Sequence, residues 1–159
     1  VPFDYRFIYL QTKQNIFMNL IKTALSQYGV KEIEGHQDHP QIIKYFTAIG
    51  FDGKKLKDET AWCSAFANWV AKTAGYEYSG KLNARSWLSV GESTETPDWG
   101  DVVVLWRESP ESWKGHVGFY VKETKRYVYI LGGNQRNSVC IKAYPKNRIL
   151  DFKKLKHHG

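Results

Sequence analysis

The chain changes its hydrophobic period once, at Trp99-Gly100-Asp101, and that change restricts the folds open to it. Before it, apolar residues recur at helical spacing. Ile16, Phe17, Leu20, Ile21, Ala24 and Leu25 form one stripe that stops at Gly29, and Ile42, Ile43, Phe46 and Ile49 form another between Pro40 and Gly50. Such a stripe buries one side of a helix. Proline suits the first helical position because its missing N–H would find no partner there, and glycine suits the residue after the last turn. A third helix is expected from about Ala61 to Ala74, with Thr60 as cap, Gly75 after its end, and Trp62, Phe66, Trp69 and Val70 on its buried side. A short helical turn around Ala84-Arg85-Ser86-Trp87-Leu88 ends at Gly91. Beyond Asp101 the runs shorten and become β-branched and aromatic: Val102–Trp106, His116–Val121, Tyr127–Leu131, Val139–Tyr144 and Ile149–Phe152. Helices first and a strand meander second predict an α+β fold with an antiparallel sheet.

With 159 residues, 42% of them hydrophobic, the chain is long enough for one ordinary core and too apolar for a disordered tail. It has no internal repeat. Residues 1–17 read as an N-terminal extension of unassigned role and residues 18–159 as a single domain. No apolar run approaches the ~20 residues that span a bilayer, so membrane insertion is not expected. The start of the chain lacks the pattern of an intact signal peptide, and a signal removed before Val1 would leave secretion open. A net charge of +7 favours an anionic partner such as nucleic acid, anionic lipid or a cell-wall polymer. The basic residues are scattered apart from Lys54-Lys55-Leu56-Lys57 and Lys153-Lys154-Leu155-Lys156, runs too short to signal nucleic acid, and solvated faces are the expectation for both.

Two cysteines, Cys63 and Cys140, make no disulfide framework. Cys140 lies in an apolar strand-like context, where a buried structural thiol is expected. Cys63 is different, because it falls in the first turn of the third helix, where unpaired N–H groups favour a thiolate. His116 opens a strand further on, and an imidazole beside the thiol would take its proton and later protonate a leaving amine. The strands His116–Val121 and Tyr127–Leu131 read as a hairpin, so the residues after the second strand, Gly132-Gly133-Asn134-Gln135, come back beside His116. Asn134, or Gln135, would then accept the proton on one imidazole nitrogen and hold the other toward Cys63. The paired glycines let backbone pass close to the ring.

These residues resemble the cell-wall cysteine peptidases and amidases of the NlpC and CHAP type, and more closely a small phage- and bacterium-associated branch of that superfamily. The resemblance runs from about Leu20 to Phe152. It rests on Gly29-Val30-Lys31-Glu32-Ile33-Glu34-Gly35, Asp58-Glu59-Thr60-Ala61-Trp62-Cys63-Ser64-Ala65-Phe66 and Ala84-Arg85-Ser86-Trp87-Leu88. It rests equally on Trp99-Gly100-Asp101-Val102-Val103, Gly115-His116-Val117-Gly118-Phe119 and Gly132-Gly133-Asn134-Gln135. It implies a papain-like fold, with the catalytic helix packed on an antiparallel sheet of about five or six strands. It also implies hydrolysis of an amide in peptidoglycan, as a stem-peptide endopeptidase or an N-acetylmuramoyl-L-alanine amidase, with no cofactor or metal. Cys63 and His116 match the family's dyad, and Asn134 falls at its variable third position.

Trp62, Trp87, Glu59 and Gln135 are the expected substrate-binding residues, and exposed Trp113 is a further candidate for a sugar or peptide groove. Asp58 and Glu59 precede the helix, where their charge opposes a thiolate, complements the helix dipole, or binds a cationic group of the substrate. The protein is expected to act as a monomer, secreted or delivered to the cell wall or periplasm, in a phage or bacterial setting. Three other readings compete. The same residues could transfer the acyl group to an amine, and a non-enzymatic module could bind the wall through charge alone. A metal hydrolase on His36, His39 and His116 is the third, but His36-Gln37-Asp38-His39 falls in a turn before Pro40, where a solvated loop is expected.

Overall fold

A computed structural model describes residues 19–33, 39–53 and 61–158. The expected extension, residues 1–17, lies outside them, as do Ile16 and Phe17, Thr60, Asp58, Glu59 and His36. Helix α1 is described over residues 19–25 and buries Leu20, Ile21 and Ala24, whereas Leu25 turns out to solvent. Helix α2 spans Pro40–Thr47, with Pro40 at its first position and the His39 ring accepting the Gln41 N–H at 3.1 Å. Helix α3 spans Cys63–Thr73, two residues shorter at its start than the sequence suggests. Trp62 takes a non-helical φ of −113° and ψ of 14° there. Its carbonyl accepts the Phe66 N–H at 2.9 Å, which makes it the cap residue, and its indole donates to Glu32 and stacks on Tyr45.

Six strands follow: β1 (Glu92–Ser93), β2 (Val102–Trp106), β3 (Gly115–Glu123), β4 (Tyr127–Gln135), β5 (Ser138–Pro145) and β6 (Ile149–Lys154). Every pairing is antiparallel, in the order β1-β6-β2-β3-β4-β5. The meander therefore holds only from β2 to β5. Strand β6 returns to the free edge of β2, and the two-residue β1 beyond it gives no periodic signal in sequence. A 3-10 turn at Lys146–Arg148 is all that joins β5 to β6. Four flat inter-strand spacings amount to about 19 Å. The link reaches no more than about 14 Å. The sheet must therefore curl until its two ends approach.

That curl gives the sheet two buried faces. Val102, Val104, Val117, Phe119, Leu131 and Val139 face the helices and pack with Tyr45, Phe66 and Trp87. The alternate residues Val103, Leu105, Tyr120, Val128 and Ile130 pack inside the curl with Tyr144, Ile149 and Phe152. A strand apolar at both parities, as β2 is, belongs where both faces are covered. Asp101 pins its entry: the buried carboxylate accepts the Asp98 N–H at 2.7 Å and the Lys154 ammonium at 2.9 Å. No helix among the described residues is long and apolar enough to cross a membrane.

Candidate active site

Cys63 is the first residue of α3, 4% exposed, and the Trp62 cap supplies no side-chain acceptor to the first turn. Three backbone N–H groups favour charge on the sulfur: those of Ser64 and Cys63 at the helix start, and that of Val117 from β3. Val117 follows His116 in β3, so the helix start and the strand start meet at one point. Burial nevertheless dominates and pushes the thiol above its ordinary value, against those N–H groups and the nearby charge of Arg107. His116 is 8% exposed, and burial lowers its pKa to about 4 against the opposing hydrogen bond from Gln135, with Arg107 and Lys142 lowering it further. Both partners are thus neutral near pH 7 in the unliganded protein, and an ion pair has to be created during reaction.

The structure brings Gln135 to the imidazole, and no hydrogen bond joins Asn134 to it. His116 Nε2 lies 2.9 Å from Gln135 Oε1. The orientation of that amide is fixed independently, because Gln135 Nε2 donates to the carbonyls of Ile130 at 3.1 Å and Cys140 at 2.6 Å. Its oxygen must then face the ring and accept, together with a second bond from the Tyr144 hydroxyl at 3.1 Å. The proton consequently sits on Nε2, and Nδ1 keeps its lone pair for a donor in the cleft. Gln135 is 1% exposed, so it stands behind the imidazole and does not reach substrate, contrary to its expected binding role.

The exchange of Asn134 for Gln135 follows from a bulge. The β4–β5 register shifts between Gly132 and Gln135, and Asn134 adopts a left-handed φ of 56°, which displaces the simple alternation of the strand. A two-residue turn then closes the hairpin on Arg136 and Asn137, both at positive φ (51° and 58°). The two glycines are required by contact: a Cβ on Gly132 would meet Gln135 Oε1 at 2.7 Å, and one on Gly133 would meet Phe66 Cβ at 2.7 Å and the Trp62 ring at 2.8 Å.

A cavity of about 370 Å³ opens over these groups. Cys63, His116 and Asn134 line it together, and Arg107, Lys142, Tyr144 and Arg148 form much of the remainder. Those last four escape the sequence reading. The one signal for them is strand alternation, which puts Lys142 and Tyr144 on the same face as Cys140. Trp62 and Trp87 line no part of the cavity. Trp62, 1% exposed, packs under Gly133, and Trp87, 0% exposed, donates to Ser64 Oγ at 3.0 Å behind α3, so both are core residues and not binding platforms. Trp113 is exposed but away from the cavity. Glu59 lies outside the described residues. Cys140 is half-buried, with its thiol donating to the Gln135 carbonyl at 3.4 Å, so it helps hold the bulge. No cluster of three metal-ligating side chains occurs among the described residues, and His39 is occupied as a helix cap.

A helix-borne thiol and a strand-borne imidazole sharing one cleft, on an α+β fold with a six-stranded antiparallel sheet, are the architecture of a papain-like domain. A family model described as CHAP domain matches residues 55–134, just over half of the 159 residues, and the chain belongs to that family. Comparison with curated proteins gives no match. Membership carries a general expectation of hydrolysis, of the amidase or peptidase kind, directed at peptidoglycan and exerted outside the cell or at its wall.

Proposed function

We propose that the chain cleaves an amide bond of peptidoglycan through a covalent cysteine intermediate, with Cys63 as nucleophile, His116 as base and acid, and Gln135 as the residue that orients the imidazole. The observation that carries this reading is the fixed amide of Gln135, whose oxygen accepts from His116 Nε2 and so leaves Nδ1 the unprotonated nitrogen of a ring that lines the same cleft as Cys63. His116 Nδ1 takes the thiol proton as the sulfur attacks the substrate carbonyl carbon. The carbonyl oxygen becomes an oxyanion, stabilised by N–H groups at the start of α3; losing one such donor costs about 3 kcal/mol. The C–N bond breaks, the amine leaves with the proton from His116, and a thioester remains. Water, deprotonated by the same nitrogen, attacks that thioester, releasing a carboxylic acid and restoring the thiol. Asn134, lining the cleft without a bond to His116, is available to touch substrate.

The bond is either within the stem peptide or between muramic acid and L-alanine, and the chain would act at the cell wall without a metal. Mass spectrometry of fragments released from purified peptidoglycan tests the reading. Hydrolysis yields paired new amine and carboxylate ends; a cut within the stem peptide marks an endopeptidase, and a freed intact stem peptide marks an amidase. Retention of wild-type turnover by Cys63→Ala, or a joined product in place of two free ends, would overturn it.

A further inference from the structure

We infer that the cleft selects a substrate carrying a free carboxylate beside the amide to be cut, and that Arg107, Lys142 and Arg148 recognise that group. The inference rests on the hydrolytic reading above and adds a substrate class to it. The three cations come from three elements: Arg107 just past the end of β2, Lys142 in the middle of β5 and Arg148 in the turn before β6. Curling of the sheet brings all three to the one cavity that Cys63 and His116 also line.

Among the described residues no carboxylate balances them there. The described residues of the lining include no Asp or Glu. The ion pairs among the described residues join Lys114 to Glu108, Lys146 to Glu123, Lys153 to Asp151, and Lys154 to Asp98 and Asp101, and none includes a cation of the cavity. Two of the three are steadied by aromatic faces. The Arg148 guanidinium lies 5.4 Å from the Trp106 ring centre, and Lys142 Nζ lies 5.0 Å from that of Tyr144. The Trp106 ring is itself anchored, its N–H donating to Asn147 O at 3.1 Å. A cation held over a ring keeps its position while its N–H groups stay free for an acceptor.

Three such cations in one concavity repel each other and focus a positive potential that only an anion relieves. Their field reaches the reacting groups, since the charges of Arg107 and Lys142 both lower the His116 pKa. Cell walls supply anions as peptide carboxylates and as polymer phosphates. The cavity lies over the nucleophile and holds only about 370 Å³, which favours an anion on the chain being cut, hence the peptide carboxylate.

A series of phosphate-free synthetic stem peptides, each with one carboxylate replaced by a primary carboxamide, tests this with kcat and KM measured separately. One replacement should raise KM about tenfold or more, the size of a lost charged hydrogen bond, with kcat little changed. Discrimination between that peptide and its parent should collapse in the Arg107→Gln, Lys142→Gln double variant. A KM that no replacement raises even twofold would overturn the inference. So would inhibition by a glycerol-phosphate polymer coupled to indifference toward the peptide carboxylates, which would assign the cations to wall phosphate. Calorimetric binding of the same peptides to Cys63→Ala separates recognition from chemistry. Carboxylate-dependent binding without cleavage by the wild type would retain the inference and remove the hydrolase reading, whereas cleavage without carboxylate dependence would do the reverse.

Discussion

Gln135, on the buried side of His116, has each polar atom of its amide committed to a protein partner, whereas Arg107, Lys142 and Arg148, on the cleft side, have no carboxylate partner among the described residues. The buried side is neutral and fully bonded, and no buried side-chain polar atom among the described residues lacks a partner. Such a network has a single arrangement, because changing any member orphans another in a low dielectric. The cleft side is charged and unbalanced, so it can respond to what enters. One side sets the geometry of the reaction and the other sets what is admitted to it.

The contrast breaks most completely at the thiol. Cys63→Ala should lower amide cleavage by at least about 1,000-fold while the protein stays folded, because the covalent route is lost and the rest of the cleft remains. Fragment release from peptidoglycan beside a circular dichroism spectrum reads both. The buried side is tested next by Gln135→Leu, which leaves the Ile130 and Cys140 carbonyls without their donor and the imidazole without its acceptor. About 3 kcal/mol of stability and about 100-fold in kcat should be lost, with KM nearly unchanged. A urea midpoint and steady-state kinetics check this. An effect on stability alone would make Gln135 a structural residue and nothing more.

Much of this contrast is legible in the sequence, and what is not has a physical cause. The bounds of β2, the proline start of α2 and the return of Gln135 to His116 follow from local rules: hydrophobic period, end chemistry and hairpin geometry. The pairing of Cys63 with His116 is an expectation that the family resemblance supplies. Asn134 and Gln135 are both candidates by those rules. The bulge at Gly132–Gln135 decides between them, and a bulge depends on packing against Trp62 and Phe66 from a distant helix. Trp87 looks like a sugar platform by residue type and becomes core because Ser64 accepts its N–H. The basic cluster has no local signature, since its three members meet only when β6 returns to β2 and the sheet curls.

Acid should weaken the buried side selectively. Above pH 6.5 the His116 ring is neutral in the folded and the unfolded chain alike. Between that pH and about 4 the unfolded chain binds a proton that the folded chain refuses, so stability falls as pH falls, and below about 4 the slope vanishes. The full loss is about 3 kcal/mol. Urea midpoints at pH 7 and pH 4.5 should diverge more for the wild type than for His116→Gln, and equal divergence would show that other groups carry the acid sensitivity.

Tyr144 belongs to both sides, which makes it the finest probe of the boundary. Its hydroxyl donates to Gln135 Oε1 at 3.1 Å, while its ring carries Lys142 and lies 5.2 Å from that of His116. Tyr144→Phe removes the first contact and keeps the others. Because the His116 proton still satisfies Gln135 Oε1, the expected cost is about 1 kcal/mol of stability and a few-fold in kcat. KM for a carboxylate-bearing peptide should not move, since the ring that positions Lys142 is intact. A rise in KM equal to the fall in kcat would mean that the hydroxyl itself contacts substrate, and the division between an orienting side and a selecting side would have to be redrawn through this residue.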